Sequence, residues 1–134
     1  MLESSLVKYG EKVVSCSRGN PCSVIFDWDS IWAFSKSCEN FNPMSLRFFH
    51  THPHGSVNYS TIDENCLKGW TISFNFPVLF YIISFINSDL ENFEYQYSAY
   101  TIENGKMVSH RYSPQLRSTD LAMLKSISCA YEER

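Results

Sequence analysis

Two histidines placed two residues apart are the first candidates for chemistry in this sequence. His50 and His52 flank Thr51, Pro53 follows them, and Asp63 lies further along the chain. In an extended segment alternate side chains point to the same face, so both imidazoles could reach one cation. Two imidazoles and one carboxylate supply three ligands, which leaves tetrahedral zinc a fourth position for water, as a catalytic site requires. We therefore predict a Zn²⁺ site formed by His50, His52 and Asp63.

Ser60 and Asp63 also fit a helix N-terminus. Ser60 can cap a helix, and a carboxylate three residues later faces the start of that helix. Taken alone, the pair would indicate only a helix cap. The preceding His-x-His-Pro favours metal binding at Asp63 as well.

Together these residues form the pattern His-x-His-Pro, six residues, Ser-x-x-Asp, which resembles the signature of JAB/MPN (JAMM) zinc metalloproteases. The five fixed positions are His50, His52, Pro53, Ser60 and Asp63. Such a match arises by chance in a chain of this length with a probability on the order of 10⁻⁵. The resemblance implies an isopeptidase or peptidase in which a zinc-activated water attacks an amide at a ubiquitin-like or other flexible C-terminal tail. It also implies that Ser60 steadies the oxyanion.

The resemblance further implies a glutamate general base on an early strand. Glu11 precedes an apolar segment that ends in an Arg-Gly turn, and it is the preferred candidate, although Val14 stands where the family has a small residue. Glu3 is the alternative, because it also precedes a segment ending in Gly, but Lys8 would disfavour a buried strand there. Glu39 is too near the ligand strand.

The loop between Pro53 and Tyr59 is polar and contains glycine, so it should form one wall of a cleft. His54 and Tyr59 are the side chains predicted to contact substrate. The substrate is expected to enter as an extended strand beside Met44–His52, along a nearby free sheet edge. His110, the fourth histidine, is interpreted as structural.

Three other functions stay open. A non-catalytic MPN scaffold would only bind partners, but such members usually lose metal ligands that this sequence keeps. A RadC-like JAB domain has a similar His-x-His-Pro with a glycine where Gly55 stands. Metal phosphoesterases need more histidines than the 4 present here.

Hydrophobic periodicity and turn signals predict the elements that would position these residues. The expected helices are 2–9, 60–70 and 118–132, with 30–36 an ambiguous helical turn. The expected strands are 11–17, 23–28, 44–52, 76–86, 93–102 and 107–112. The first two strands would form a hairpin, and Asn104-Gly105 would join the last two, because Asn-Gly is a strong hairpin signal.

The bulk composition restricts the class of protein. The chain has 134 residues, 44% of them hydrophobic, and a net charge of −3, which fits one domain (1–134) and argues against a nucleic-acid partner. No apolar stretch is long enough for a membrane span, and no secretory leader is evident. The 5 scattered cysteines suggest free thiols in a reducing cytoplasm. We predict an α+β fold, and the resemblance implies a mixed β-sheet flanked by helices, a cytidine-deaminase-like sandwich.

Overall fold

A six-stranded mixed sheet with helices on both faces forms the body of the protein. The computed structural model describes residues 2–19, 25–53, 55–92, 94–110 and 116–129. The elements in chain order are β1 (Ser4–Tyr9), β2 (Lys12–Arg18), α1 (Trp28–Ser37), a 3₁₀ turn (Pro43–Ser45), β3 (Leu46–Thr51), α2 (Thr61–Phe74), β4 (Leu79–Phe85), β5 (Tyr95–Glu103), β6 (Lys106–Ser109) and α3 (Ser118–Cys129).

The strand order across the sheet is β2-β1-β3-β4-β5-β6. Only β3 and β4 pair in parallel among the described strands, and the other neighbours are antiparallel. A parallel pair needs a crossover between its strands, and α2 supplies it. The end of β3 therefore leads directly into the loop and helix that carry Ser60 and Asp63.

Two apolar clusters fix the helices to the sheet. On one face, α1 and α2 pack through Ile31, Leu67 and Trp70 onto the alternate strand residues that include Phe48 and Phe80. On the other face, α3 packs through Leu121 and Leu124 onto residues such as Leu6, Phe49 and Tyr81. The alternation of side chains along each strand thus divides the core into two layers, with the sheet between them.

The helix expected at residues 2–9 is wrong, because this segment forms β1, an interior strand paired with β2 and β3. Lys8 lies buried in that strand. Its Nζ is 2.7 Å from Asp120 Oδ1 at the start of α3, and Arg47 approaches the other carboxylate oxygen at 3.0 Å. The buried lysine is thus paired, which is the condition for keeping a charge out of water.

The hairpin expected between 11–17 and 23–28 is also wrong. The first of these segments corresponds to β2, but its hairpin partner is β1. Residues 25–27 are irregular and α1 begins at Trp28, while 23 and 24 lie outside the described residues. The ambiguous segment 30–36 belongs to α1.

The remaining elements agree with the sequence. Strands β3, β4 and β5 and helices α2 and α3 lie where the periodicity placed them, with ends shifted by a few residues. Asn104 and Gly105 join β5 to β6 with φ of 53° and 75°. Positive φ at both turn positions is what a tight hairpin turn requires and what Asn-Gly supplies. The predicted positions 111–112 and 130–132 lie outside the described residues.

Strand β3 has a paired neighbour on both sides, β1 and β4. It therefore has no free edge, and the expectation that substrate adds as a strand beside Met44–His52 is wrong. In the part of the chain that the structure describes, no helix is both long enough and apolar enough to cross a membrane.

Candidate metal centre

The end of β3 places the two histidines on the face of the sheet covered by α2. His50 is the next-to-last residue of the strand, and the backbone N–H of His52 continues the ladder by donating to Ile83 O at 2.9 Å. Thr51, between them, points the other way. Its hydroxyl lies 2.7 Å from the Ser4 backbone nitrogen and 3.2 Å from the Ser128 hydroxyl. These buried bonds hold the ligand strand against both β1 and α3.

Asp63 reaches both histidines from the first turn of α2. Ser60 caps this helix as the sequence predicted: its Oγ accepts the Asp63 N–H at 3.1 Å, and its own N–H donates to Asp63 Oδ2 at 2.9 Å. This reciprocal pair orients the carboxylate, which is only 3% exposed. Asp63 Oδ1 lies 3.5 Å from His50 Nδ1, and Oδ2 lies 3.3 Å from His52 Nε2.

The tautomer of His52 follows from its second contact. His52 Nδ1 lies 2.9 Å from the Ser56 carbonyl oxygen, which can only accept, so Nδ1 carries the proton. In the neutral ring, Nε2 is then the lone-pair nitrogen that could bind a cation, and in the protonated ring Nε2–H can donate to Asp63. A backbone carbonyl that fixes the distal nitrogen is the usual support of a metal-ligating histidine.

Electrostatics couple His52 to Asp63. Burial lowers the pKa of His52, but the hydrogen bond and negative charge of Asp63 outweigh burial and raise it above the ordinary value. For Asp63, burial raises the pKa, but the hydrogen bonds from His52 and Ser60 and the charges of both histidines bring it below the ordinary value. Asp63 is therefore ionised near neutral pH and available as an oxygen ligand.

His50 supplies the observation that tests whether a cation fits. Its Nδ1 is buried and has no hydrogen-bond partner among the described residues. A buried polar atom left without a partner is costly, and a cation is one way to satisfy it. Two ligands of a tetrahedral zinc, each about 2.0–2.1 Å from it, lie about 3.3–3.4 Å apart. Each oxygen of the Asp63 carboxylate lies near one imidazole at close to that spacing, with Oδ1 3.5 Å from His50 Nδ1 and Oδ2 3.3 Å from His52 Nε2.

Glu3 is the second carboxylate at this cluster, and Glu11 is not part of it. Glu3 is 6% exposed and its Oε1 contacts His50 Nε2. Glu3, His50 and His52 offer ligand atoms that all lie within 4.8 Å of one another. Glu11 occupies the turn after β1, where its side chain is 70% exposed and pairs with Arg117 and Lys8.

Strand direction explains this difference. β1 runs antiparallel to β3, with Ser5 opposite His50 and Tyr9 opposite Leu46. Residues just before β1 therefore lie beside the end of β3, whereas residues after β1 lie beside its beginning. Leu46 is separated from His50 by four residue steps, or roughly 13 Å along the strand. The structure thus brings together Glu3 and the three predicted ligands and leaves Glu11 at the other end.

The remaining predicted site residues lie on the rim. Ser60 is exposed, next to the cluster. Its O–H is not used in the capping bonds, because a hydroxyl has two acceptor lone pairs besides its one donor. Tyr59 is partly exposed and packs edge-on against Tyr100, with ring centroids 5.1 Å apart. His54 lies outside the described residues.

The segment 55–60 is tied to the sheet. The carbonyl of Val57 accepts hydrogen bonds from the hydroxyls of Ser98 and Tyr100, the latter at 3.3 Å. Gly55 has φ of 85°, a conformation that favours glycine. This wall of the site is thus anchored to β5 rather than freely adjustable.

An apolar cavity next to the cluster was missed by the sequence analysis. It has a volume of about 210 Å³, and His50 and Asp63 form part of its wall together with aromatic and aliphatic side chains from α1, α2, β4 and the segment before α1. Its lining comes from four separate parts of the chain. The signal that could have indicated one of its walls is the helical spacing of the apolar residues Ile62, Cys66 and Trp70 around Asp63.

No protein-family model matches this sequence, and no curated protein matches it either. The interpretation of the site therefore depends on its residues and their geometry.

Proposed function

We propose that the protein is a zinc-dependent hydrolase of peptide or isopeptide bonds, of the JAB/MPN type. The observation that carries the proposal is the convergence of two imidazoles and two buried carboxylates at the end of β3, beside a cavity. The two carboxylates, Glu3 and Asp63, are both buried beside the imidazoles. Uncompensated charge of this kind is destabilising, so the cluster suits a divalent cation.

In this proposal His50, His52 and Asp63 hold the cation. A zinc ion bound there would polarise the scissile carbonyl and bring the pKa of water toward neutrality. The three ligands include two nitrogens and one carboxylate, the composition of several catalytic zinc sites with an open fourth position.

Glu3 acts as the general base. Its carboxylate accepts a proton from the attacking water as the new C–O bond forms, and then passes that proton to the departing nitrogen as the C–N bond breaks. Glu3 Oε1 contacts His50 Nε2, and Glu3 offers an oxygen within 4.8 Å of a nitrogen of each histidine, so its carboxylate lies at the same cluster as the proposed ligands. The exposed Glu11 has no route to this proton.

Ser60 is placed to assist at the carbonyl oxygen. Its hydroxyl lies beside Asp63, and capping uses only its acceptor capacity on the Asp63 N–H. Donation of its O–H to the developing oxyanion is a preorganised stabilisation of the kind that lowers amide-hydrolysis barriers. The apolar cavity walls keep bulk water away and strengthen these electrostatic interactions.

The first experiment measures metal content. Protein purified without chelator is expected to contain one zinc per chain by elemental analysis, and His52→Ala is expected to lose it. His110→Ala is the matched control, because His110 bonds to Thr101 at 2.7 Å and belongs to a different part of the sheet. Full occupancy in His52→Ala would exclude the proposed ligand set.

The second experiment tests hydrolysis. Zinc-loaded protein is incubated with a proteome-derived peptide library and with ubiquitin-like C-terminal fusions, and new termini are identified by mass spectrometry. Cleavage by the wild-type protein that a chelator abolishes and zinc restores supports the proposal. Zinc binding with no cleavage of any amide would instead favour a non-catalytic scaffold.

A further inference from the structure

The cavity beside the metal cluster gives information about the substrate. Two residues of the cluster, His50 and Asp63, also line the cavity. A group that fills it must therefore lie directly against the reacting centre. The cavity is thus continuous with the proposed site rather than a separate surface feature.

The cavity wall is strongly apolar. Apart from His50, Asp63 and the Cys66 thiol, the described lining residues are aromatic or aliphatic, among them Trp28, Trp70 and Phe80. The aromatic walls are held by mutual contacts: Phe26 packs edge-on against Trp70 at 4.8 Å, and Trp70 packs edge-on against Phe80 at 5.7 Å. Such a wall offers few hydrogen bonds to a polar ligand.

The cavity is large enough for a side chain. Its volume of about 210 Å³ exceeds the roughly 150 Å³ of an apolar cavity that holds benzene. Ile62 and Ile25 also belong to its lining, and they are 71% and 85% exposed. Exposed aliphatic side chains beside an apolar cavity extend the surface that an incoming apolar group would cover.

We propose that this cavity is a specificity pocket that receives a branched aliphatic or aromatic side chain of the substrate, on a residue adjoining the scissile amide. The inference rests on the proposed hydrolase function. A glycine beside the cleaved bond would leave the cavity empty, because glycine has no side chain to fill it. The substrate class is then a peptide or isopeptide with a large apolar residue beside the cleaved bond.

The test compares two small amides that differ only in the side chain. N-acetyl-leucinamide and N-acetylglycinamide are titrated into zinc-loaded protein, and binding is followed by the fluorescence of the tryptophans, two of which line the cavity. The leucine amide is expected to bind roughly tenfold or more tightly, since burial of a leucine side chain accounts for a difference of that size. Equal binding of the two amides by the wild-type protein would overturn the proposal.

The second test uses variants in which a larger side chain fills the cavity. Cys66→Phe places a larger side chain in the wall, and Cys66→Met is a milder version in case the first variant does not fold. Both are expected to remove the leucine preference while keeping zinc. Asn65→Phe is the control, because Asn65 is the exposed neighbour on the same helix and is not part of the cavity wall. A leucine preference that survives in folded Cys66→Phe would also refute the pocket.

The two proposals can fail separately. Leucine-selective binding without cleavage of any peptide would contradict the hydrolase function and leave the pocket in place. Cleavage of peptides with glycine on both sides of the bond, at rates equal to those of leucine peptides, would support the hydrolase and eliminate the pocket.

Discussion

Replacing Glu3 by glutamine separates a general base from a metal ligand. Glutamine keeps the size of the side chain and a carbonyl oxygen that can still face His50 Nε2, so the contact between β1 and β3 survives. What glutamine removes is the ability to accept a proton from water. Because Glu3 is 6% exposed, bulk solvent is a poor substitute for it.

The expected loss of activity is large. General acid–base catalysis contributes about 10²–10⁴-fold, so single-turnover cleavage by Glu3→Gln should fall by that factor. In free energy this is about 3–5.5 kcal/mol of barrier. Zinc occupancy and the unfolding midpoint are expected to stay close to those of the wild-type protein.

The matched control is Glu11→Gln. The Glu11 side chain is 70% exposed and its ion pair with Arg117 lies at the surface, where such pairs contribute about 0–1 kcal/mol. Its cleavage rate should therefore be unchanged. The assay is single-turnover cleavage of the best library peptide, with elemental analysis on the same samples.

Two results would refute the reasoning. If Glu3→Gln cleaves at the wild-type rate, the general base lies elsewhere, and a dead Glu11→Gln would identify it. If Glu3→Gln loses its zinc, Glu3 is a fourth protein ligand. A site closed by four protein ligands is structural in type, and the hydrolase proposal would then fail.

Three further predictions test the same arrangement. Ser60→Ala should lower stability by about 1 kcal/mol through the lost cap, and should lower the single-turnover rate by about 10²–10³-fold; an unchanged rate per folded molecule would leave Ser60 only its capping role. Zinc affinity should be higher at about pH 8 than at about pH 6, by roughly tenfold or more, because zinc binds only the neutral imidazole. Asp63 raises the pKa of His52, so this histidine is protonated more readily as the pH falls. The pKa of Asp63 is lowered, so its carboxylate stays ionised over this range. A competition titration that shows no pH dependence would contradict His52 as a ligand. Asp120→Ala should lower the free energy of unfolding by about 3–5 kcal/mol, because it leaves the buried Lys8 with only the 4.0 Å contact to the exposed Glu11. Lys68→Ala, which breaks the surface pair with Glu64, should change it by less than about 0.5 kcal/mol in urea titrations.

The sequence predicted those parts of the fold that depend on local signals. The cap at Ser60, the Asn104-Gly105 turn and the end of the ligand strand each arise from residues a few positions apart. Strand β1 was missed for the opposite reason. Lys8 argues against a buried strand unless its partner is known, and that partner, Asp120, lies 112 positions away in sequence.

In the candidate site, too, the features set by residues close in sequence were predicted and those set by distant residues were not. The spacing of His50, His52 and Asp63 predicted the cluster because one strand, one loop and one helix turn connect them directly. The cavity could not be predicted, since its walls come from segments that meet only through the crossover of α2 and the packing of α1. The rim residue Tyr59 was expected to contact substrate, but its anchoring by Tyr100 depends on a strand far along the chain.

The choice between Glu3 and Glu11 depends on topology more than on residue type. Both precede segments that end in glycine, and both stand near an early strand, so the pattern alone does not separate them. Once β1 pairs antiparallel with β3, only a carboxylate that precedes β1 lies beside the carboxyl end of β3. That end is also where the parallel β3–α2–β4 unit begins its crossover, a position where ligands bind in many open sheets. The order and direction of these three strands place Glu3, and not Glu11, beside His50. This placement is the reason that we propose the proton-accepting role for Glu3.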